Sequence, residues 1–154
     1  KENNIMSFSM LLNLVETSNA DSKDLLWKFV KKYKTNLNEK EFPIFDKLVD
    51  YAIKYYKDVI SPNKKYKTPN SDEKKVLMSL VKALDECNDK MTPEDIQTKI
   101  FSVGKENGYK DNLRDWFKLI YEVVFGDENG PRIGFFISFF GVKETQNLIK
   151  EKIM

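Results

Sequence analysis

The residue types that could carry out chemistry are few in this chain. Histidine is absent from its 154 residues, and Cys87 is the single cysteine. Nucleophilic systems that use histidine as the base are therefore excluded, as are zinc sites built from histidine or from several cysteines. The 24 acidic residues leave carboxylate chemistry open, but no pair of them stands out from the charged surfaces expected of any helix. The sequence disfavours a self-contained enzyme.

Two arginines, Arg114 and Arg132, stand among 26 basic residues, and the other 24 are lysines. This lysine excess, with abundant Asn and Ile, is typical of AT-rich genomes, so a single lysine carries little functional information. Arginine differs because its planar guanidinium can bind a base or a phosphate through two parallel hydrogen bonds. The net charge of +2 is by itself only a weak indication of nucleic-acid binding.

Apolar residues recur at helical spacing along the whole chain, without strand alternation, a repeat or a heptad seam. We predict an all-α fold of about eight helices in a bundle or cage. The first helix should bury one face, formed by Phe8, Leu11, Leu12 and Val15. A long stripe should follow Pro43, formed by Phe45, Leu48, Val49, Ala52, Tyr55, Tyr56 and Val59.

Helix starts and stops are marked by capping residues. Ser71 is expected to cap one helix, and Thr92 with Pro93 should begin another. Pro131 should open a helix that is apolar nearly all round, from Ile133 to Phe140, which we expect to be the most buried element. Gly141 is placed as the C-cap of this helix.

The chain is long enough for one domain, numbered 1–154, and the alternative is two helical halves, 1–60 and 71–154, joined by the loop 61–70. No apolar run reaches the roughly 20 residues that span a bilayer. The N-terminus begins with polar residues and shows no signal peptide. We therefore expect a cytoplasmic protein, and the start at Lys1 rather than Met suggests a fragment of a longer one.

Several separated blocks occur in an order that carries a family resemblance. They are SFSMLLNL at 7–14, YAIKYY at 51–56, DWFKLIY at 115–121 and GPRIGFF at 130–136, followed by Phe140-Gly141. In this order they resemble the C-terminal region of class I lysyl-tRNA synthetases, and the similarity spans nearly the whole chain. The resemblance implies a helical cage similar to the anticodon-binding region of glutamyl-tRNA synthetases.

The resemblance also implies that catalysis and tRNA binding belong to different domains. Lysine activation with ATP would belong to an upstream Rossmann-type catalytic domain, whose HIGH-like and KMSKS-like motifs do not occur here. The chain itself would contain no catalytic residue, metal or cofactor. Its partners would be the anticodon stem-loop of tRNA-Lys and the catalytic domain of the same polypeptide, with no role for DNA or a membrane.

An anticodon is single-stranded, so its bases can be stacked and read on their Watson–Crick edges. Uracil needs a donor facing O4, and Arg132 is our candidate. A surface pair of Arg132 with Asp127 or Glu128 is the alternative. The full set of candidate tRNA contacts is Lys64, Lys65, Tyr66, Lys67, Arg114 and Arg132.

Each of the other candidates also has an alternative explanation. Arg114 could pair with its neighbour Asp115, and residues 64–67 could be a solvated lysine-rich linker rather than a backbone-binding loop. Trp116 fits a core position better than a stacking position because apolar residues follow it at helical spacing. For the chain as a whole, the alternative to RNA recognition is a helical protein-interaction scaffold.

Overall fold

The computed structural model describes residues 5–18, 20, 22–33, 36–88 and 90–154. Within these residues the fold is all-helical, with eight α-helices and no strand, which confirms the predicted fold class. The chain divides into two compact units, Lys1–Lys64 and Lys65–Met154. The division falls inside the loop 61–70.

The first unit contains three α-helices. They are α1 (Phe8–Ser18), α2 (Lys23–Tyr33) and α3 (Pro43–Tyr55). The α3 helix continues into a π-helical turn, Tyr56–Ile60, and a 3₁₀ turn, Ser61–Asn63. At the centre Trp27 packs edge-on against Phe45 at 5.3 Å, and its indole N–H donates to Asp46 at 2.8 Å. The buried indole therefore has both an apolar environment and a hydrogen-bond partner.

The buried faces of this unit differ in part from those predicted. In α1 the buried side chains are Met10, Leu11, Leu14 and Val15, whereas Phe8 and Leu12 are half-buried. The stripe along α3 is correct for Phe45, Val49 and Ala52, but Val59 is 43% exposed. Val59 lies within the π-helical turn, whose hydrogen bonds reach one residue further and therefore rotate its side chains off the preceding α-helical face.

The second unit contains the other five α-helices. They are α4 (Ser71–Leu84), α5 (Pro93–Gly104), α6 (Leu113–Ile120), α7 (Ile133–Phe140) and α8 (Val142–Ile153). The packing centres on α7, which lies against α5 and α8. Six of its eight residues are buried, which confirms that it is a core helix: Ile133, Gly134, Phe136, Ile137, Phe139 and Phe140.

Two of the predicted helix ends are confirmed, and two positions are corrected. Thr92 caps α5 in a reciprocal capping box, and Gly141 follows α7 at φ 114°. Asn70, not Ser71, caps α4, because the Asn70 side chain accepts from the backbone N–H of Glu73 while the Glu73 carboxylate accepts from that of Asn70. The α7 helix begins at Ile133 rather than Pro131, since the intervening Arg132 has extended backbone angles.

Candidate nucleic-acid interface

Arg132 stands immediately before α7 with its side chain exposed to solvent. Its guanidinium carbon lies 5.1 Å from the centre of the Phe135 ring. Neither of the alternative acidic partners is paired with it in the described part of the chain. The Asp127 carboxylate accepts from the backbone N–H of Glu128 at 2.8 Å, and the Glu128 carboxylate lies 3.6 Å from the ammonium of Lys118. The guanidinium N–H groups of Arg132 therefore remain accessible to a ligand.

A buried contact between α5 and α7 fixes the backbone next to Arg132. The backbone N–H of Gly134 donates to the side-chain oxygen of Gln97 at 2.7 Å, and Gln97 is only 7% exposed. A Cβ atom at Gly134 would lie 2.3 Å from the carbonyl oxygen of Pro93 and 2.9 Å from the backbone nitrogen of Gln97. Only glycine allows this approach, so the first turn of α5 sets the position from which Arg132 projects.

The loop 126–131 leads to Arg132 and folds against Tyr121. Gly126 ends the π-helical turn Tyr121–Phe125 with φ 66°. A Cβ atom at Gly130 would lie 2.5 Å from the Tyr121 ring, so the loop backbone packs directly on this half-buried side chain. Burial raises the pKa of Tyr121, and the positive charge of Arg132 opposes this increase by a smaller amount. Tyr121 thus supports the loop backbone and remains uncharged near Arg132 at neutral pH.

The three lysines at 64, 65 and 67 have different surroundings. In the first unit, the ammonium of Lys64 lies 3.1 Å from the Glu16 carboxylate, and these side chains are only 12% and 5% exposed. In the second unit, Lys67 pairs with Glu73 at 2.8 Å, and this hydrogen bond raises the pKa of Lys67. Lys65 is exposed and forms no ion pair within the described residues. Lys65 is therefore the lysine of this loop that a phosphate could reach without displacing a carboxylate.

Tyr66 is held by contacts within the second unit although 41% of its surface is exposed. The ammonium of Lys152 lies 3.8 Å from the ring centre, which is a cation–π contact. Gly126 also packs against the ring, since a Cβ atom there would lie 3.2 Å from two ring carbons. Sequence reasoning missed Lys152, because one lysine among 24 carries no signal and its partner is distant in the chain.

Arg114 lies exposed in the first turn of α6. The predicted alternative was an ion pair with Asp115, and no such pair is present among the described residues. The Asp115 carboxylate instead accepts a hydrogen bond from the side-chain amide of Asn112. The adjacent Trp116 is fully buried, with its indole N–H donating to the carbonyl of Ile100 at 3.0 Å, which confirms its place in the core.

Backbone hydrogen bonds bring several of these candidates to one segment of the second unit. The N–H of Lys65 donates to the carbonyl of Gly126 at 3.4 Å, and that of Lys67 donates to the carbonyl of Glu122 at 3.0 Å. Residues 65–67 therefore run beside residues 122–126, and the loop that follows leads to Arg132. The second unit thus places an exposed lysine and a partly exposed tyrosine ring beside the segment that leads to Arg132.

The described residues contain neither a metal-binding cluster nor a membrane-spanning helix. No group of three or more acidic or cysteine side chains is arranged to hold a metal ion in the parts of the chain described above. The same residues contain no helix with the length and apolar character needed to cross a bilayer.

Comparison with known proteins gives one consistent result. Over 148 residues the chain is 37% identical to the lysine–tRNA ligase of Rickettsia felis. It is 36% identical over the same length to the lysine–tRNA ligases of Rickettsia bellii and Rickettsia massiliae. The chain is similar to a segment of lysine–tRNA ligases. The match covers 96% of this chain but only 28% of the length of each relative.

The comparison therefore confirms the resemblance to lysine–tRNA ligases that the sequence blocks suggested. Neither a protein-family model nor a solved structure matches this chain.

Proposed function

We propose that this chain is the anticodon-binding region of a class I lysine–tRNA ligase and that it recognises the anticodon stem-loop of tRNA-Lys. The observation that carries the proposal is the similarity of 96% of the chain to one segment of lysine–tRNA ligases. An all-helical segment without histidine supports a binding role better than a catalytic one. The aminoacylation reaction, with its requirement for ATP, would take place in an upstream domain of a cytoplasmic enzyme.

Arg132 would read a base of the anticodon. An exposed guanidinium next to Phe135 can donate to O4 of uracil, whereas cytosine carries an amino group at that position and would repel the donor. Phe135 limits the freedom of the guanidinium, so less conformational entropy is lost when the base binds. The hydrogen bond from Gly134 to Gln97 fixes the backbone from which Arg132 projects. These features support Arg132 as the group that gives specificity.

Lys65 and Arg114 would contact the RNA backbone. Both are exposed, and neither forms an ion pair within the described residues. Phosphate contacts of this kind set affinity and register but carry no sequence information. Lys64, Tyr66 and Lys67 would act mainly by holding the loop, since each already makes a contact within its own unit.

The proposal is tested by titrating the 154-residue chain with tRNA-Lys at several salt concentrations. For an RNA-binding domain, the logarithm of the association constant should fall linearly with the logarithm of the salt concentration, because binding releases counterions from the phosphates. A tRNA that differs only by a central cytidine in the anticodon is the matched control and should bind more weakly. A protein-interaction scaffold would show no saturable binding, or equal weak binding to both RNAs.

A second measurement tests the absence of catalysis. ATP–pyrophosphate exchange with lysine, measured on the same chain, should remain at the level of a heat-denatured control. Activity above that level would contradict the assignment of lysine activation to another part of the polypeptide.

A further inference from the structure

Three aromatic side chains of the first unit contact one another at the protein surface. The ring centres of Phe8 and Tyr51 are 5.7 Å apart, and Tyr55 lies 5.8 Å from Phe8 and 5.9 Å from Tyr51. Tyr51 remains 55% exposed in spite of these contacts. Ile44, two helical turns before Tyr51 on the same face of α3, is 67% exposed. We call these four residues the α3 shelf.

The α3 shelf is unusual for the part of the chain that the structure describes. Large apolar side chains are exposed there at only a few positions: Ile44, Tyr51, Val59, Tyr66 and Met154. Three of them belong to α3 and the turn that continues it. Grouped exposed apolar side chains mark interaction surfaces more often than isolated ones do. Tyr51 is too exposed to serve as a core residue of the first unit, so packing within this unit does not account for the apolar side chains on this face of α3.

The charged side chains beside the α3 shelf do not form a basic patch, which favours a protein partner over RNA. Lys47 and Lys54 lie on the same face of α3 as Tyr51, but the Lys54 ammonium is already 3.2 Å from the Asp50 carboxylate. The turn that continues α3 adds one lysine and one aspartate. A tyrosine-rich surface without a basic patch fits a protein partner, because the centres of protein interfaces are depleted of charge and enriched in aromatic residues.

We propose that the α3 shelf is the docking surface for the remainder of the ligase polypeptide. The chain spans 28% of the length of its relatives, so most of such a polypeptide lies outside it. Domains of one chain commonly contact one another over roughly 600–1,500 Å², and the buried centre of an interface is more apolar than its rim. The α3 shelf supplies that centre. This inference rests on the proposed function, since it requires the longer ligase.

The first test measures the accessibility of Tyr51 without RNA. Hydroxyl-radical footprinting is performed on the 154-residue chain and on the full-length ligase that contains it, with an added peptide to calibrate the radical dose. We expect Tyr51 to be modified several-fold more slowly in the full-length ligase. Equal rates in the two proteins would overturn the proposal. Protection that appears only when tRNA-Lys is added to the 154-residue chain would also overturn it and would identify the α3 shelf as an RNA surface.

The second test uses a substitution in the full-length ligase. We expect Tyr51→Ser to make this region unfold in a thermal transition of its own, separate from that of the rest of the ligase. Lys28→Ser, on the exposed side of α2, is the matched control. The same Tyr51→Ser substitution in the 154-residue chain should leave a cooperative melt, which shows that the unit still folds. A single unchanged transition in the full-length variant would contradict the proposal. Because neither readout involves RNA, a failure here is distinct from a failure of tRNA binding.

Discussion

Replacement of Gly134 by alanine tests whether the contact between α5 and α7 determines the structure around Arg132. The new methyl group would lie 2.3 Å from the carbonyl oxygen of Pro93 and 2.9 Å from the backbone nitrogen of Gln97. Both atoms belong to the first turn of α5, and backbone atoms in a capped helix cannot move aside as the end of a side chain can. The two helices must therefore separate, which lengthens the 2.7 Å hydrogen bond between Gly134 and Gln97.

The magnitude follows from three contributions. Overpacking of a core contact costs about 1–3 kcal/mol. Loss of a buried hydrogen bond with its partner left unsatisfied costs about 1–3 kcal/mol. Alanine regains at most about 1 kcal/mol over glycine within a helix. We expect Gly134→Ala to lower the free energy of unfolding by about 1–5 kcal/mol, and the melting temperature by roughly 2–20 °C for a chain of this size.

The assay is thermal and urea unfolding followed by circular dichroism. Ser138→Ala is the matched control, because Ser138 lies one turn further along α7 and its hydroxyl donates to the carbonyl of Gly134 within the same helix. The control should change the free energy of unfolding by less than about 1 kcal/mol. An unchanged or increased stability of Gly134→Ala would refute the argument that close approach of the two helices requires glycine here.

Three further predictions concern the core and the ion pairs. Phe136→Asp would place an unpaired charge in the most buried helix, at a cost of several kcal/mol, and should abolish the cooperative melt seen by circular dichroism. Glu16→Gln should destabilise the chain by on the order of 3 kcal/mol because it removes the negative charge 3.1 Å from the largely buried Lys64 ammonium, whereas Asp50→Asn, in an exposed pair, should cost less than about 0.5 kcal/mol in urea titrations. Burial acts to raise the pKa of Asp46, but hydrogen bonds from Lys23 and Trp27 bring it below its ordinary value. The stability that Asp46 provides should therefore be present above about pH 4 and lost as the pH falls further, and Asp46→Asn should make urea stability less dependent on pH in that range.

The sequence predicted the fold class and the buried helix at Ile133–Phe140 because both depend on local periodicity. It placed the α4 cap one residue late, although the three-residue spacing from Asn70 to Glu73 was available as a signal of a capping box. The exposure of Val59 could not be predicted, since the local sequence contains no signal for the π-helical turn.

The surroundings of the candidate site residues depended on long-range contacts and were largely hidden from the sequence. The pairing of Lys64 with Glu16 joins residues far apart in the chain, and so do the contacts of Lys152 with Tyr66 and of Gln97 with Gly134. Residue type alone could not distinguish these lysines from the exposed Lys65. The two arginines could be singled out by composition, and the structure leaves both of them exposed.

The most direct test of the account is the anticodon preference of Arg132 variants. Arg132→Ala should weaken binding of tRNA-Lys by roughly 1–3 kcal/mol and narrow the preference over a tRNA with a central cytidine. Arg114→Ala and Lys65→Ala are matched controls that should weaken both RNAs equally and each reduce the salt slope by about one unit. Arg132→Lys keeps the charge but lacks the planar fork, so it should not restore the preference. If Arg132→Ala folds normally and retains both affinity and preference, the proposed reading of the anticodon by Arg132 is contradicted.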